Sequence, residues 1–324
     1  MKISRKTPLL AAGVMLMCSC GSDAQDVSSN IDIKPVEEGI EFADPFIMLD
    51  GDTYYSYGTK SDRGIEVYSS DDLKYWTPRG VALDRVDSYA DRWFWAPEVY
   101  KVGDRYLMYY TADEHICVAE SKSPVGPFTQ KEKVPMLPGE KAIDNTLFID
   151  SDGKAYLFFD RFTDGLNVWV AELEPDMTTL RLNTMTPCIR QSQNWEHDGV
   201  NEGSFVIRHG DTYYMTYSGN GYTSPEYGIG VATSKSPAGP WVKYEGNPLL
   251  QLPQTKEYGR LEGVGHSAMF RDKEGNLRIV FHAHKCPGTV HPREMYISTV
   301  SFTDGAEPMM RISKENIVKA ALKK

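Results

Sequence analysis

A single pattern recurs five times along this chain, and it leaves few folds open. The stretches ADPFIMLDGDTYYSYGT, APEVYKVGDRYLMYYT, IDNTLFIDSDGKAYLFFD, NEGSFVIRHGDTYYMTYS and GHSAMFRDKEGNLRIVFH each open near a polar residue. Each then runs through a short apolar strand, a turn built from Gly with Asp or Asn, and an aromatic strand. Aromatic and β-branched runs bounded by such turns read as antiparallel hairpins. The sequence after each hairpin repeats too. GIEVYSSDDLKYW, HICVAESKSPVGPF, LNVWVAELEPD, YGIGVATSKSPAGPW and EMYISTVSF each read as a third strand and the start of a fourth, and SKSPVGPF at Ser121 nearly duplicates SKSPAGPW at Ser234. Helix signals are nearly absent; KENIVKAALKK at the C-terminus is the one segment expected to form a short helix. Five four-stranded units at a period of about 50 residues are the signature of a β-propeller. A β-sandwich is the structural alternative, but it would not repeat one four-strand unit five times. The expected fold is all-β, a five-bladed β-propeller with four-stranded antiparallel blades.

The chain has 324 residues, 41% of them hydrophobic and 25% charged, which is ample for one large core. Its first residues are not part of that core. Lys2, Arg5 and Lys6 precede the apolar run from Leu9 to Met17, which is too short to span a membrane and ends in Cys18-Ser19-Cys20-Gly21. Residues 1–19 therefore read as a lipoprotein signal peptide with Cys20 as the lipidated residue; Cys18, which follows Met17, is the lesser alternative. Residues 20–35 read as a flexible tether and residues 36–324 as a single propeller domain. This layout predicts an envelope lipoprotein of a Gram-negative bacterium, touching the membrane only through the lipid on Cys20, on either face of the outer membrane. Residues 1–19 carry three positive charges and no negative one, so their removal takes the formal net charge from −10 to −13. A surface this acidic excludes nucleic acid as a partner and suits a neutral or cationic substrate. Cys117, Cys188 and Cys286 remain, an odd number in an exported chain, so at least one thiol is free. All three are expected to be small core residues, with one disulfide left open.

The innermost strand of each blade lines a propeller's axis. The polar residue opening each repeat is Asp44, Glu98, Asp144, Glu202 and His266, at spacings of 54, 46, 58 and 64. These are expected to occupy one equivalent position per blade and to converge on the channel. Four carboxylates and an imidazole in one shaft cannot all be charged, so some must be protonated, paired or bound to a cation. A glycosidase needs that environment: one carboxylic acid held protonated for the leaving oxygen, one held ionised as base or nucleophile. Opposite walls of a shaft suit the separation of about 6.5–9.5 Å that admits a water and inverts configuration. The competing reading is a carboxylate ring that only closes the channel. Trp93 and Trp95 precede Glu98, and Trp195 precedes Glu202. Indoles stack on sugar C–H faces, or else pack between blades; Trp95 is the one expected to meet a sugar.

The ordered motifs ADPF, WAPEV, IDNTLF, NEGSF and GVGHSAMF, spread from about Ile40 to Phe302, resemble those of glycoside hydrolase family 43. Members of that family are five-bladed propellers that hydrolyse arabinose- and xylose-containing plant polysaccharides with inversion. The resemblance implies that Asp44 is the general base, Glu202 the general acid and Asp144 the third carboxylate, which tunes the acid and orients the substrate. It implies that His266 helps hold a Ca2+ ion with waters in the channel, partly indirectly because calcium prefers oxygen. Arg293 matches an arginine that reaches the substrate subsite, and Glu98 is left as a structural member of the ring. The chain departs from the family pattern at Asn145 and Ser204, where proline is frequent, without losing a carboxylate. With about twenty residues after Phe302, it looks closer to the compact arabinan-acting members than to the two-module xylosidases. The expected activity is an inverting, exo-acting α-L-arabinofuranosidase that trims plant polysaccharide or oligosaccharide side chains. β-Xylosidase, endo-arabinanase and exo-β-galactanase are alternatives on the same scaffold. A fructan-cleaving enzyme is opposed by WAPE and GVGH, and a sialidase by the acidic lining. A non-catalytic sugar-binding lipoprotein is ranked low because all three carboxylates are present.

Overall fold

The computed structural model describes residues 37–324. The expected signal peptide, Cys20 and the expected tether fall outside the described residues. The five hairpins predicted from the repeats form as five sheets around one axis, a five-bladed β-propeller. Blade 1 consists of Ala43–Asp50, Thr53–Thr59, Gly64–Ser70 and Tyr75–Asp84. Blade 3 (Ala142–Ile149, Ala155–Phe162, Leu166–Glu172, Thr186–Ile189) and blade 4 (Asn201–His209, Thr212–Gly219, Gly228–Ser234, Val242–Lys243) are also four-stranded. Blade 5 is Gly265–Arg271, Leu277–Cys286, Thr289–Phe302 and Met310–Ile312. Blade 2 departs from the pattern. It has three strands, Trp95–Val102, Arg105–Ala112 and His115–Ser121, and its fourth is reduced to the single bridge Glu120–Thr129. A hollow there is lined by Leu107, Val118, Met136 and Leu180, and none of the axial carboxylates lines it.

Turn chemistry explains why each hairpin closes where it does. Gly51 lies between Asp50 and Asp52 with φ +59°, and Gly210 repeats this at +60°, backbone that a side chain would strain. The aromatic strands supply the packing between blades: Tyr57, Tyr109 and Tyr214 are fully buried. Their hydroxyls donate to carbonyls of the following blade's outer loops, at Pro124, Met177 and Pro308 respectively. A buried tyrosine needs such a partner, and here the partner also ties one blade to the next.

The C-terminal segment is not the expected helix. Val318–Lys319 pairs with the third strand of blade 5, and Ala321–Leu322 runs parallel to Tyr75–Trp76 on the outer strand of blade 1. Ile40 inserts beside it: its N–H donates to the Ala320 carbonyl, and its own carbonyl accepts the Met295 N–H, both at 3.0 Å. A helix of this length is marginal in water, whereas strand pairing buries Ile317, Ala320 and Ala321 at the seam between first and last blades. Tertiary pairing overrides local propensity, and the ring is closed. The cysteines are also only partly as expected. All three are unpaired; Cys117 is buried, but Cys286 is exposed at the end of its strand.

Candidate active site

Each innermost strand carries a break in register near its start: between Ala43 and Phe46, Trp95 and Glu98, Ile143 and Thr146, Glu202 and Phe205, and Gly265 and Ala268. Within each break one residue takes left-handed backbone: Asp44 (φ 49°), Ala96 (43°), Asp144 (57°), Gly203 (59°) and His266 (47°). Four of the five are not glycine, and each such residue costs about 1 kcal/mol or more. These bulges turn the strand inward at the channel mouth. They also correct the equivalence expected from the sequence. Asp44, Asp144 and His266 share the bulge position, but Glu202 stands one residue before it and Glu98 two residues after it. Trp95, not Glu98, is the blade 2 counterpart of Glu202.

A second ring holds the first in place. The residue on the second strand opposite the pre-bulge position is Thr59, Thr111, Asp160, Ser218 and His282 in blades 1 to 5. Each accepts the bulge N–H of the next blade: Ala96 on Thr59 (2.9 Å), Asp144 on Thr111 (3.1 Å), Gly203 on Asp160 (2.8 Å), His266 on Ser218 (2.7 Å) and Asp44 on His282 Nδ1 (3.1 Å). The five interblade bonds hold the bulge of every blade, and with it the backbone of Asp44, Asp144 and His266 directly and that of Glu202 through its neighbour Gly203.

The axial side chains have opposed electrostatic surroundings. Arg293 Nη1 lies 3.1 Å from Asp44 Oδ1, and Thr59 Oγ1 donates to Asp44 Oδ2 at 2.6 Å. Burial pushes the Asp44 carboxyl up, but Arg293, His266 and His282 outweigh it and hold it well below the usual carboxylate range. Of these only Arg293 is permanently charged, because burial pushes His282 down to about 3 and lowers His266 as well. Arg293 is therefore what keeps Asp44 ionised. Glu202 shows the reverse. Burial pushes it up to about 7, with the Asp44 charge adding to the rise, while Tyr227 OH, 2.8 Å from Oε1, and Arg293 pull it down. Asp144 is raised well above the usual range by burial and by the neighbouring Asp160, Glu202 and Asp44 carboxyls. His266 Nδ1 sits 3.5 Å from Asp44 and 3.8 Å from Asp144, between the two. The Asn145 side-chain amide donates to the Cys117 carbonyl at 3.3 Å.

Glu98 lies deeper in the shaft, accepting hydrogen bonds from Tyr100 and Thr146 without touching the other carboxylates. Burial raises it to about 8 against those two bonds. A carboxyl whose pKa rises on folding binds its proton more tightly in the native state, so stability falls as pH climbs from about 4.5 to 8, by about 1.4 kcal/mol per unit. Glu98→Gln should remove this cost. Melting curves at pH 5 and pH 8 should show the variant close to wild type at pH 5 and more stable by a few kcal/mol at pH 8, with unchanged activity at pH 5.

Trp93 and Trp95 stack at 5.8 Å with their planes 13° apart, and Arg92 lies over Trp93 at 4.5 Å. Trp93 is 39% exposed and Trp95, which opens the strand that carries Glu98, is half-buried. Trp195 instead packs on Tyr217 and beneath Gly219, a structural role. Arg293 was expected near the substrate, whereas Tyr222 beside it was not. Tyr222, 40% exposed, carries the Arg293 guanidinium over its ring at 4.6 Å and faces His291. A cleft lined by Glu41, Thr59, Lys60, His291 and Arg293 opens beside Asp44. Buried Arg293 Nε has no hydrogen-bond partner in the protein. Thr59, Asp160, Tyr227 and His282 were likewise missed.

The side chains near His266 do not build a calcium shell. Among the described residues no group of three or more His, Cys, Asp or Glu is arranged to hold a metal. Calcium takes six to eight oxygen ligands, and the only carboxylates within 4 Å of the imidazole are Asp44 and Asp144.

A family model, glycosyl hydrolases family 43, matches residues 34–306. The chain is similar to a structure solved as an endo-1,4-beta-xylanase from Bacteroides thetaiotaomicron VPI-5482, with a TM-score of 0.83 and 42% identity, covering 89% of this chain and 99% of that one. It is 26% identical to the beta-D-galactofuranosidase xynD of Aspergillus niger, over 74% of this chain and 73% of the relative. It is 24% identical to the extracellular exo-alpha-(1->5)-L-arabinofuranosidase ArbA of Cellvibrio japonicus, over 76% and 80%.

Proposed function

This chain belongs to glycosyl hydrolases family 43, and from that membership we propose that it is an inverting, exo-acting α-L-arabinofuranosidase working on side chains of plant polysaccharide. The observation carrying the mechanism is the split between two carboxyls of one shaft, Asp44 held ionised by Arg293 and Glu202 raised to about 7. Glu202 delivers its proton to the glycosidic oxygen as the bond to the anomeric carbon breaks. Asp44 takes a proton from the water that attacks the opposite face, so configuration inverts. Asp144, kept neutral among acids, donates to the sugar instead of repelling it. The Trp93–Trp95 wall and the Tyr222–Arg293 wall flank the sugar.

Two relatives named for furanosidases support a furanose, since α-L-arabinofuranose and β-D-galactofuranose share their ring configuration and differ in the exocyclic tail. The 42%-identical structure named as an endo-1,4-beta-xylanase favours a second reading, a xylan-directed enzyme using the same acid and base. The proposal also carries the lipid anchor at Cys20 and the envelope location, and a channel calcium, if bound, would be held by His266 through waters. Aryl α-L-arabinofuranoside, β-D-xyloside and β-D-galactofuranoside, offered side by side, test the reading. Turnover is expected to favour the arabinofuranoside at least tenfold. Preference for the xyloside, or release of xylo-oligosaccharides from xylan alone, would replace it with the second reading.

A further inference from the structure

In the ring of five interblade acceptors, one member is chemically out of place. Blades 1, 2 and 4 use a hydroxyl (Thr59, Thr111, Ser218) and blade 5 a neutral imidazole, but blade 3 uses a carboxyl, Asp160. Asp160 is 0% exposed. Its Oδ2 accepts the N–H of Gly203, the residue after Glu202, at 2.8 Å, and its Oδ1 meets no donor. The charged and titratable groups acting on it are Asp144 and Glu202, both acids, and the Cys188 thiol lies in its field; no Lys or Arg is among them. A buried anion so placed would be unpaired, and such a group takes a proton instead.

Blade 1 shows what a protonated group does at this position. Thr59 accepts the next blade's N–H and donates its own hydrogen to the bulge carboxylate of its own blade, Asp44. Asp160 stands in the same register relative to Asp144 as Thr59 does to Asp44, opposite Ile143, and the two buried carboxyls act on each other. Building on the assignment of Glu202 as the acid, we propose that Asp160 is a positioning residue of the reaction, a neutral carboxylic acid that accepts the Gly203 N–H on Oδ2 and donates from Oδ1 to Asp144. One side chain thereby fixes both the backbone that aims Glu202 and the orientation of the third carboxyl. A carboxyl spans these two partners because it offers an acceptor and a donor on separate atoms, where a hydroxyl must use one atom for both.

Asp160→Asn keeps an acceptor and a donor in the same places, and Asp160→Leu keeps neither. Asp160→Asn is expected to fold and to retain kcat within about threefold on both an activated aryl glycoside and a natural linkage. Asp160→Leu is expected to lose about 100-fold in kcat on the natural linkage and less than about tenfold on the activated one, with KM little changed, because a misaimed acid matters only where the leaving group needs its proton. Equal losses on both substrates, or an Asn variant as impaired as the Leu variant, would overturn the proposal. An infrared difference spectrum between wild type and Asp160→Asn at pH 7 decides the matter if the Leu variant does not fold: loss of a protonated-carboxyl band is expected, and no such loss means that Asp160 is an anion. Glu202→Gln run alongside separates the two failures. If it lacks the leaving-group signature, the acid assignment falls; if it has the signature and Asp160→Leu does not, only the role of Asp160 falls.

Discussion

Asp44→Asn is expected to lower kcat/KM by about 10⁴-fold on every substrate the enzyme accepts, whatever the leaving group. Asparagine is isosteric, and its amide can still meet Arg293 through the carbonyl oxygen and Thr59 Oγ1 through the nitrogen, the two partners Asp44 has now. The backbone N–H still reaches His282. The site is therefore expected to keep its shape and its KM, and the loss falls on the one thing an amide cannot do, which is to accept a proton from water. Water attacks in every turnover, so an easier leaving group gives no relief. Activity above about 1% of wild type on an activated substrate, in protein shown by mass spectrometry to carry the substitution in full, would mean that another group activates the water. The same comparison bears on Arg293, the permanent charge beside Asp44. If Asp44 were not ionised through that contact, the acid limb of the wild-type pH profile would lie in the ordinary carboxylate range instead of below it.

The propeller was legible because its determinants are local. A glycine turn between two aromatic-rich strands can be read within one repeat, and five repeats state the architecture. What failed was non-local. The segment from Lys314 to Lys324 has helix-forming composition, and only the seam between Thr289–Phe302 and Tyr75–Asp84 makes it strand. SKSPVGPF predicts a fourth strand for blade 2 because blade 4 carries nearly the same words, yet only a bridge forms at Thr129. The axial residues were half legible. Chain spacing found one polar residue per repeat but could not see the bulge, relative to which Glu202 stands one residue before and Glu98 two residues after the position of Asp44, Asp144 and His266. The glycine after Glu202 was the visible trace: blade 4 gives its left-handed position to Gly203, where blades 1, 3 and 5 put the functional side chain itself. The supporting ring was also in plain view. Each repeated stretch ends on a polar residue, Thr59, Thr111, Asp160, Ser218 and His282, but a polar residue near a strand end is ordinary. Nothing within a repeat shows that its partner is the backbone of the next blade.

Glu202→Gln should separate substrates in the way that Asp44→Asn does not. The carboxyl is raised to about 7 because it is buried and because the Asp44 charge stands near it, against the opposing pull of Tyr227 and Arg293. Below that value it carries the proton that the leaving oxygen needs. Above it the acid is lost, and the rate on a natural linkage should fall about tenfold per pH unit. The acid limb is set by Asp44 and lies at much lower pH, so the wild-type profile should be a broad acidic plateau ending near neutrality. Glutamine is permanently proton-bearing but is no acid, and Tyr227 can still donate to its carbonyl. The variant should lose about 10³-fold on an alkyl glycoside or oligosaccharide, and about tenfold or less on an aryl glycoside whose phenolate departs unassisted. Its remaining activity on the aryl glycoside should no longer fall through pH 7, because the group responsible is gone. Retention of the alkaline limb in Glu202→Gln would assign that titration to another buried carboxyl of the shaft, and Asp144 would then be the next candidate for the acid.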